Sequence, residues 1–358
     1  MQGQVSAPTT TRTRRGEYLL GFGLLLVIAV VGLFIVKWSP YWARAFAVAS
    51  SHTLGNPIVY GTQTAPPPAS LEAALDYAQR YFQAVWQAML LGLLLAATLD
   101  SVVPRDWLAR VLGSRRFSTS VLGGVLALPG MMCSCCSVPV VAGLYKRGAS
   151  IGCAVAFFLG NPTLNPAVLV FMLFTLGWPW VALRLALGLV LVFGGAWLAV
   201  RLTEREAQQS AASTGLLEPE YDPRPWPLRW LRSLARFAAW LLPEYIILVG
   251  VLGAARAFLF PALGTEIGNN LPAVVGMAIA GTLFVIPTAG EIPIVQTLLA
   301  YGVGAGPAGA LLLTLAPLSL PSLVMLGRTF PLRVLVALGV LCAVVGVVAG
   351  LLAMALGL

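Results

Sequence analysis

The chain has 358 residues, of which 59% are hydrophobic and 10% are charged, and its formal net charge is +9. A soluble domain has about a quarter charged residues, so the composition excludes an ordinary soluble protein and predicts an integral membrane protein. The Lys and Arg residues lie beside apolar segments, where they mark membrane topology. This placement argues against nucleic acid as a partner.

A polar, basic segment at residues 1–16 precedes the first apolar run, at residues 18–36. The run is long enough to cross a bilayer, which needs about 20 residues. Arg12, Arg14 and Arg15 lie before it, and positive charge flanking a span favours the cytoplasmic side. We therefore expect a multi-pass protein of the cell inner (cytoplasmic) membrane, with an uncleaved anchor and a cytoplasmic N-terminus.

Six later apolar segments also have about the length of a membrane span. They are residues 82–103, 151–176, 179–200, 238–260, 306–327 and 332–356. Two further apolar stretches, 117–145 and 271–303, are broken in the middle by Pro and Gly, and their short halves favour re-entrant hairpins. If both hairpins return to their own side, every short loop rich in Lys or Arg lies on the side of the N-terminus.

The two halves of the chain share a spacing of prolines and glycines. The matching pairs are Pro104 with Pro261, Pro129 with Pro287, Pro139 with Pro293, Gly148 with Gly302, Gly152 with Gly306, Pro162 with Pro317 and Pro166 with Pro321. Each half contains one span, one hairpin and two spans, and an odd number of crossings inverts the second copy. The sequence thus predicts an all-α integral membrane protein with two inverted-topology repeats, each with a re-entrant hairpin and broken helices, plus an extra N-terminal span.

This interpretation divides the chain into five parts. They are a cytoplasmic basic tail at 1–16, an N-terminal span and outer linker at 17–80, the first repeat at 81–200, a cytoplasmic linker at 201–236 and the second, inverted repeat at 237–358. In the outer linker we expect a short interfacial helix carrying Tyr41, Trp42, Tyr77 and Tyr81, because aromatic residues favour the membrane interface. Neither linker carries a catalytic motif, and no phosphate-binding glycine loop is present. We expect neither an enzyme nor a cofactor.

The most informative motif lies at the tip of the first hairpin, where Cys133, Ser134, Cys135 and Cys136 follow one another. Non-helical backbone within a membrane must be buried in protein or line a wet cavity. Its thiols and hydroxyls could therefore converge on one small solute. Sulfur ligands select soft species such as Cu(I), Zn or trivalent metalloids, with Cys133 and Cys135 as the expected ligands. We interpret the spacing as C-x-C-C rather than C-x-x-C; the alternative is that small Cys residues pack the turn.

Glu291 occupies the corresponding tip of the second hairpin. An acidic residue within the membrane is a functional hypothesis by default. Apolar surroundings disfavour the charged form of a carboxyl group, which suits a proton carrier. The alternative is a loop carboxylate with a structural role, in which case Glu244 is the next candidate for proton coupling.

Two predicted spans are broken at matching places. Asn161 and Asn165 precede prolines in the first break, and Ser319 lies in the second. Discontinuous helices paired across a repeat axis mark substrate sites in many transporters, so we expect these residues to bind substrate. The alternative is that the two Asn side chains only satisfy the broken backbone.

One set of residues in the first half keeps a definite order and spacing: Cys133-Ser134-Cys135, Pro139, Leu144, Gly148, Gly152, Phe158-Leu159, Pro162 and Asn165-Pro166. This set resembles the predicted permease family that includes the organoarsenical efflux permease ArsP. The resemblance covers nearly all of the chain after about residue 80. In the commoner pattern the cysteine pair follows the proline almost directly; here Gly130, Met131 and Met132 intervene, and Cys136 is added. The resemblance implies export of thiophilic compounds, of which trivalent organoarsenicals are the characterised kind.

Three functions remain open from the sequence. The favoured one is a secondary transporter that exports a small thiophilic solute, such as a trivalent arsenical or a soft metal species, with proton coupling. The others are an uptake transporter for a sulfur compound and a membrane thiol oxidoreductase. The expected partners are the solute and the lipid bilayer, and the sequence leaves homo-oligomerisation open.

Overall fold

The structure, a computed structural model, describes residues 10–60, 63, 65–213, 225–260 and 268–358, with side chains described from residue 21 and up to residue 204 in the helix that ends at 213. Within these ranges all regular structure is helical, as predicted. The side chains of the basic tail, the middle of the 201–236 linker, and Pro261 and Glu266 lie outside the described residues. The predictions for those segments therefore stay predictions.

The N-terminal part is one continuous run of helix. It consists of α1 (Thr10–Leu33), a π-helical turn (Phe34–Trp38) and α2 (Ser39–Ser51). Trp42 is 71% exposed on α2, as expected of an interfacial aromatic residue. The Trp38 indole Nε1 donates a hydrogen bond to the Pro129 carbonyl (2.9 Å), so this helix contacts the tip of the first hairpin.

Two series of helices follow. The first consists of α3 (Leu71–Ser101), α4 (Arg105–Leu112), α5 (Phe117–Ala127), α6 (Ser134–Lys146), α7 (Ile151–Thr163), α8 (Pro166–Thr175) and α9 (Trp178–Ser213). The second consists of α10 (Trp226–Leu259), α11 (Leu271–Leu283), α12 (Glu291–Ala300), α13 (Ala305–Thr314), α14 (Leu320–Leu326) and α15 (Leu332–Leu356). Each series contains a long helix, a pair of short helices, a broken helix and a final long helix, and the first series has the additional short helix α4 after its first long helix.

The described residues form six helical segments that are long and apolar enough to cross a membrane by length and composition. They are Gly21–Ser51, Leu71–Ser101, Ile151–Thr175, Trp178–Glu204, Trp226–Leu259 and Leu332–Leu356. The span expected at 306–327 is instead two short helices, α13 and α14. Pro317 and Pro321 explain the break, because proline lacks the amide hydrogen that a continuing helix needs.

The backbone conformations of the two halves agree at several matched positions. Met131 (φ 48°) and Ala289 (φ 68°) both adopt the left-handed conformation, each two residues after the matched prolines Pro129 and Pro287. Gly148 and Gly302 also have positive φ where each hairpin ends. These agreements support a repeated architecture. The opposite orientation of the two halves in a bilayer stays a prediction.

The long helices α3 and α10 pack against each other in the centre of the protein. Contrary to the interfacial prediction, Tyr77 and Tyr81 lie on α3, which begins ten residues before the predicted repeat boundary, and both side chains are fully buried. Their hydroxyls donate hydrogen bonds to the Val285 carbonyl (2.6 Å) and the Ile286 carbonyl (3.0 Å). The two tyrosine hydroxyls therefore supply hydrogen-bond donors to backbone carbonyls of the non-helical segment before α12, which would otherwise be unpaired.

Apolar side chains cover the outer surface of the long helices. On α15, the side chains of Val336, Val340 and Val344 are each more than half exposed. Their spacing of four residues forms one face of the helix, as expected for a surface in contact with lipid. The opposite face of α15 packs through small residues: Gly346 and Gly350 lie against α13 and α11.

Candidate functional site

The tip of the first hairpin is built by a short 3-10 turn, an extended segment and the first turn of α6. Cys133 is the N-cap of α6, and its Sγ accepts a hydrogen bond from the Cys136 amide (3.3 Å). All four residues of the motif, Cys133 to Cys136, are buried. The N-terminus of a helix carries partial positive charge, so the tip is suited to hold sulfur with negative character.

Cys133 and Cys136 form a disulfide, with their Cα atoms 5.3 Å apart. The interpretation of this motif as lacking C-x-x-C was wrong, because the first and last cysteines have that spacing. In the first turn of a helix, residues i and i+3 lie on the same side, which brings the two sulfurs together. Cys133 thus has Cys136 as its partner in this structure, and joint binding of a solute by Cys133 and Cys135 stays a prediction.

Cys135 is a free, buried thiol that links the two halves of the protein. Its Sγ lies 3.4 Å from the Ser319 Oγ, and the Ser134 Oγ lies 3.3 Å from the same atom. Ser319 is the N-cap of α14 and forms a capping box with Ser322. Three of the predicted site residues therefore meet at one point, where the first hairpin touches the break of the second half.

A small cavity lies beside the Cys135 thiol. Its volume is about 10 Å³, and its lining includes Cys135, Met89, Met325 and Tyr245. The Tyr245 hydroxyl is buried beside that of Tyr81, without a well-formed hydrogen bond to a described group. A space of this size holds about one water-sized group. A larger solute could reach Cys135 only if the surrounding helices moved apart.

Asn161 connects the broken helix α7 to the first hairpin. Its Nδ2 donates to the Phe157 carbonyl (2.9 Å), and its Oδ1 accepts from the Met132 amide (3.4 Å). A Cβ atom at Gly130 would collide with the Asn161 Oδ1, which explains the glycine at this position. Asn161 thus satisfies backbone groups, as the alternative expected, and its binding of substrate stays a prediction.

Asn165 caps α8 and retains an unused donor. Its Oδ1 accepts hydrogen bonds from the Ala167 amide (3.1 Å) and the Val168 amide (3.3 Å). Its Nδ2 is buried and has no hydrogen-bond partner. A buried donor without a partner is unfavourable, so this amide group is available to a ligand in a way that the Asn161 amide is not.

The tip of the second hairpin carries a buried ion pair. Glu291 is the first residue of α12, and its Oε1 lies 2.7 Å from the Arg184 Nη1 of α9, with both side chains 1% exposed. Arg184 also donates to the Pro162 carbonyl (2.9 Å) and the Thr163 carbonyl (3.1 Å). Arg184 was not among the predicted site residues, although a charged residue inside an apolar helix is a signal of pairing with an acid.

The break between α7 and α8 therefore contacts both hairpin tips. Asn161 holds the first tip, while the carbonyls of Pro162 and Thr163 bind the guanidinium that pairs with Glu291. Glu244, the alternative candidate for proton coupling, instead pairs with Arg328, whose side chain is exposed. Among the described residues, no group of three or more His, Cys, Asp or Glu side chains could hold a metal ion.

A helical protein with six potential spans, broken helices and buried polar groups at the breaks is a multi-pass membrane protein with the features of a transporter. Residues 71–355 match the family described as "Predicted permease", ArsP_1, and the chain belongs to this family. The match confirms the resemblance seen in the sequence.

The chain is similar to curated proteins of bacteria and archaea. It is 46% identical over 354 residues to the UPF0718 protein YraQ of Escherichia coli (strain K12), an alignment that covers 99% of each chain. It is 24% identical over 327 residues to the UPF0718 protein MJ0584 of Methanocaldococcus jannaschii, covering 72% of this chain and 90% of that protein. No solved structure matches the chain.

Proposed function

We propose that this permease is a secondary transporter that exports a small thiophilic solute, such as a trivalent arsenical or a soft metal species, across the inner membrane. The observation that carries the proposal is the buried Cys135 thiol at the contact between the two halves, 3.4 Å from the Ser319 hydroxyl. A thiol is a ligand for soft, thiophilic species. In a transporter of paired repeats, the substrate binds where the broken helices meet.

The Cys135 site is closed in the present conformation, which is consistent with transport. The cavity beside the thiol admits about one water-sized group. Release of a solute to either side therefore requires the first hairpin to separate from the break at Ser319. Among the described groups, two weak polar interactions join the two sides, one from the Ser134 hydroxyl and one from the Cys135 thiol, both to the Ser319 hydroxyl, beside the packing of α6 against α14.

Substitution of Cys135 tests the substrate class. In proteoliposomes that contain the full chain, Cys135→Ser should lower uptake of a trivalent methylarsenical by at least about tenfold, equivalent to about 1.4 kcal/mol of binding. Serine keeps the size and polarity of the site but removes the soft ligand. Cys342→Ser is the matched control, because Cys342 is also a free, buried thiol but lies on α15.

Three results would decide between the alternatives. Equal transport by the wild type and both variants would return Cys135 to a packing role. Transport of a sulfur oxoanion that is insensitive to Cys135→Ser would favour the uptake function. Turnover of a disulfide substrate without net movement of solute would favour the oxidoreductase.

The proposed coupling ion is the proton, with Glu291 as its carrier. Protonation of Glu291 would remove the charge that holds Arg184, while Arg184 would stay bound to the Pro162 and Thr163 carbonyls. Proton binding would thus loosen the second hairpin from the break between α7 and α8. A buried pair of this kind is a two-state element that a proton can bias.

Glu291→Gln should abolish the dependence of transport on a pH gradient in proteoliposomes while solute binding persists. Because that substitution leaves Arg184 without its carboxylate, the double variant Glu291→Gln/Arg184→Gln is measured beside it. Glu244→Gln is the control, since Glu244 pairs with Arg328 outside this cluster. An unaltered pH response in the Glu291 variants would refute the proposal, and its loss in Glu244→Gln alone would assign coupling to that residue.

A further inference from the structure

The disulfide between Cys133 and Cys136 lies within the proposed solute site, although transport of a solute does not in itself require a disulfide. Both cysteines belong to the first turn of α6, and Cys135, the third thiol of the motif, lies between them in sequence. A thiophilic solute that needs two sulfurs cannot use cysteines already joined to each other. The oxidation state of this pair therefore sets how many sulfurs the tip can offer.

We propose that the Cys133–Cys136 pair is a reversible thiol-disulfide switch for which small monothiols are the reductant, and that only the dithiol form binds the thiophilic solute. The reversible disulfide is independent of the proposed function, whereas the control of solute binding rests on it. In the disulfide form, Cys135 is the one free thiol of the tip. In the dithiol form, Cys133 and Cys136 add two sulfurs to that of Cys135, and their Cα atoms, 5.3 Å apart, place the added sulfurs close enough to share one trivalent atom.

The hydrogen bonding at the N-terminus of α6 determines which of the two sulfurs is attacked and which one leaves. A monothiolate attacks the Cys136 sulfur and forms a mixed disulfide, and the Cys133 sulfur leaves as a thiolate. The Cys136 amide donates a hydrogen bond to the Cys133 Sγ, and the N-terminus of α6 stabilises negative charge at the same place.

A second monothiolate then attacks the sulfur of the bound monothiol, which releases Cys136 and a free small-molecule disulfide. The two protein thiolates take up the two protons that the monothiols lost. The balance is one protein disulfide and two monothiols giving two protein thiols and one small disulfide, a two-electron exchange. A small-molecule disulfide drives the same steps in reverse.

Access to the pair fits small molecules rather than a redox protein. Cys133 is 4% exposed and Cys136 is 1% exposed, so another protein cannot place its own cysteine against them. Met131, two residues before Cys133, is only partly buried, and Pro129 is exposed at the turn. A small thiol would approach Cys133 and Cys136 from the side of Met131 and Pro129.

The first experiment counts thiols and needs no solute. Purified full-length protein is equilibrated in buffers of reduced and oxidised glutathione, quenched with acid, alkylated in denaturant with iodoacetamide and digested with trypsin. Residues 117–146 form one peptide without an internal Lys or Arg, and it contains Cys133, Cys135 and Cys136 as its only cysteines. We expect one alkylated cysteine, Cys135, at oxidising ratios and three at reducing ratios, with no stable state of two.

Variants identify the pair. Cys133→Ser and Cys136→Ser should each give two alkylated cysteines at every ratio, whereas Cys135→Ser should change between zero and two. Cys153→Ser, outside this peptide, should behave as the wild type. Three alkylated cysteines in the wild type at every glutathione ratio, or a disulfide that includes Cys135, would overturn the switch.

The second experiment tests control of binding with phenylarsine oxide, a trivalent arsenical that requires two thiols. The protein is reduced with a phosphine or oxidised with diamide, desalted, and titrated. We expect saturable binding by the reduced form and at least tenfold weaker binding by the oxidised form. Equal binding by both forms would overturn the switch. Absence of binding in both forms, with the thiol count unchanged, would refute the proposed substrate and the control of its binding together.

Discussion

The two hairpin tips have similar backbones and different chemistry. Each carries a left-handed, non-glycine residue two positions after a proline, Met131 in the first tip and Ala289 in the second. The first tip then presents the Cys135 thiol, which lies against Ser319, beside the Ser134 hydroxyl and the Cys133–Cys136 disulfide. The second presents a carboxylate, Glu291, whose charge is balanced by a buried arginine.

In the proposed function, the two tips therefore have different roles although they share one backbone conformation. Hydroxyl and thiol contacts are weak and can be exchanged for contacts with a solute at little cost, as binding requires. A buried ion pair is strong in its intact form and costly when one partner is removed, as a coupling element requires. The first tip is thus suited to recognition and the second to the control of conformation.

The largest expected effect concerns the charged tip. Arg184→Gln leaves Glu291 buried without its partner and should destabilise the protein by about 3–5 kcal/mol. The double variant Arg184→Gln/Glu291→Gln should recover a large part of this loss, since no uncompensated charge remains. The measurement is thermal unfolding of the full chain in detergent. Equal destabilisation by the single and double variants would show that the pair is not coupled.

An intermediate effect is expected at the uncharged tip. Gly130→Ala would place a methyl group against the Asn161 Oδ1, and forcing extra volume into a packed site costs about 1–3 kcal/mol. Gly276→Ala in α11 is the matched control, because no atom lies within 4 Å of its added Cβ, and alanine favours a helix over glycine by about 1 kcal/mol. If both variants unfold at the same temperature, Asn161 does not fix the position of the first tip.

The smallest effect tests the shared backbone. Met131→Gly and Ala289→Gly relieve a left-handed conformation that costs a non-glycine residue about 1–2 kcal/mol, partly offset by about 0.4–1 kcal/mol of extra entropy in the unfolded chain. The two ranges leave a gain in stability of between zero and about 1.6 kcal/mol for each substitution. A gain at one tip and a loss at the other, measured by the same unfolding assay, would show that the tips are not conformationally equivalent.

Most of the fold followed from patterns along the chain. Proline pairs predicted the breaks between α7 and α8 and between α13 and α14, because proline is disfavoured inside a helix but accepted in the first turn of a new one. The interrupted apolar stretches predicted the short helices of both hairpins. The predicted start of the helix that became α3 was wrong. Tyr77 and Tyr81 were assigned to the membrane interface because of their residue type, whereas their hydroxyls bind backbone carbonyls of a segment far away in sequence.

The site was less predictable because its contacts join segments far apart in sequence. The contact of Ser319 with Cys135 could be predicted only from the match between the two halves. The contact of Arg184 with Glu291 depends on the packing of α9 against the second half. The pairing of Cys133 with Cys136 was within reach. It required counting the residues from the first cysteine to the last, because a separation of three residues is close to one helical turn.

The hydrogen bond from the Trp38 indole to the Pro129 carbonyl joins the N-terminal helix to the first hairpin tip. Trp38 lies in the π-helical turn before α2, outside the matched residues 71–355, yet it contacts the tip that carries the thiols. Any displacement of the tip away from the N-terminal helix must first break this bond, at a net cost of about 1 kcal/mol. In the proposed transport cycle, the N-terminal helix would therefore oppose movement of the first tip without contributing a side chain to the contact of Cys135 with Ser319.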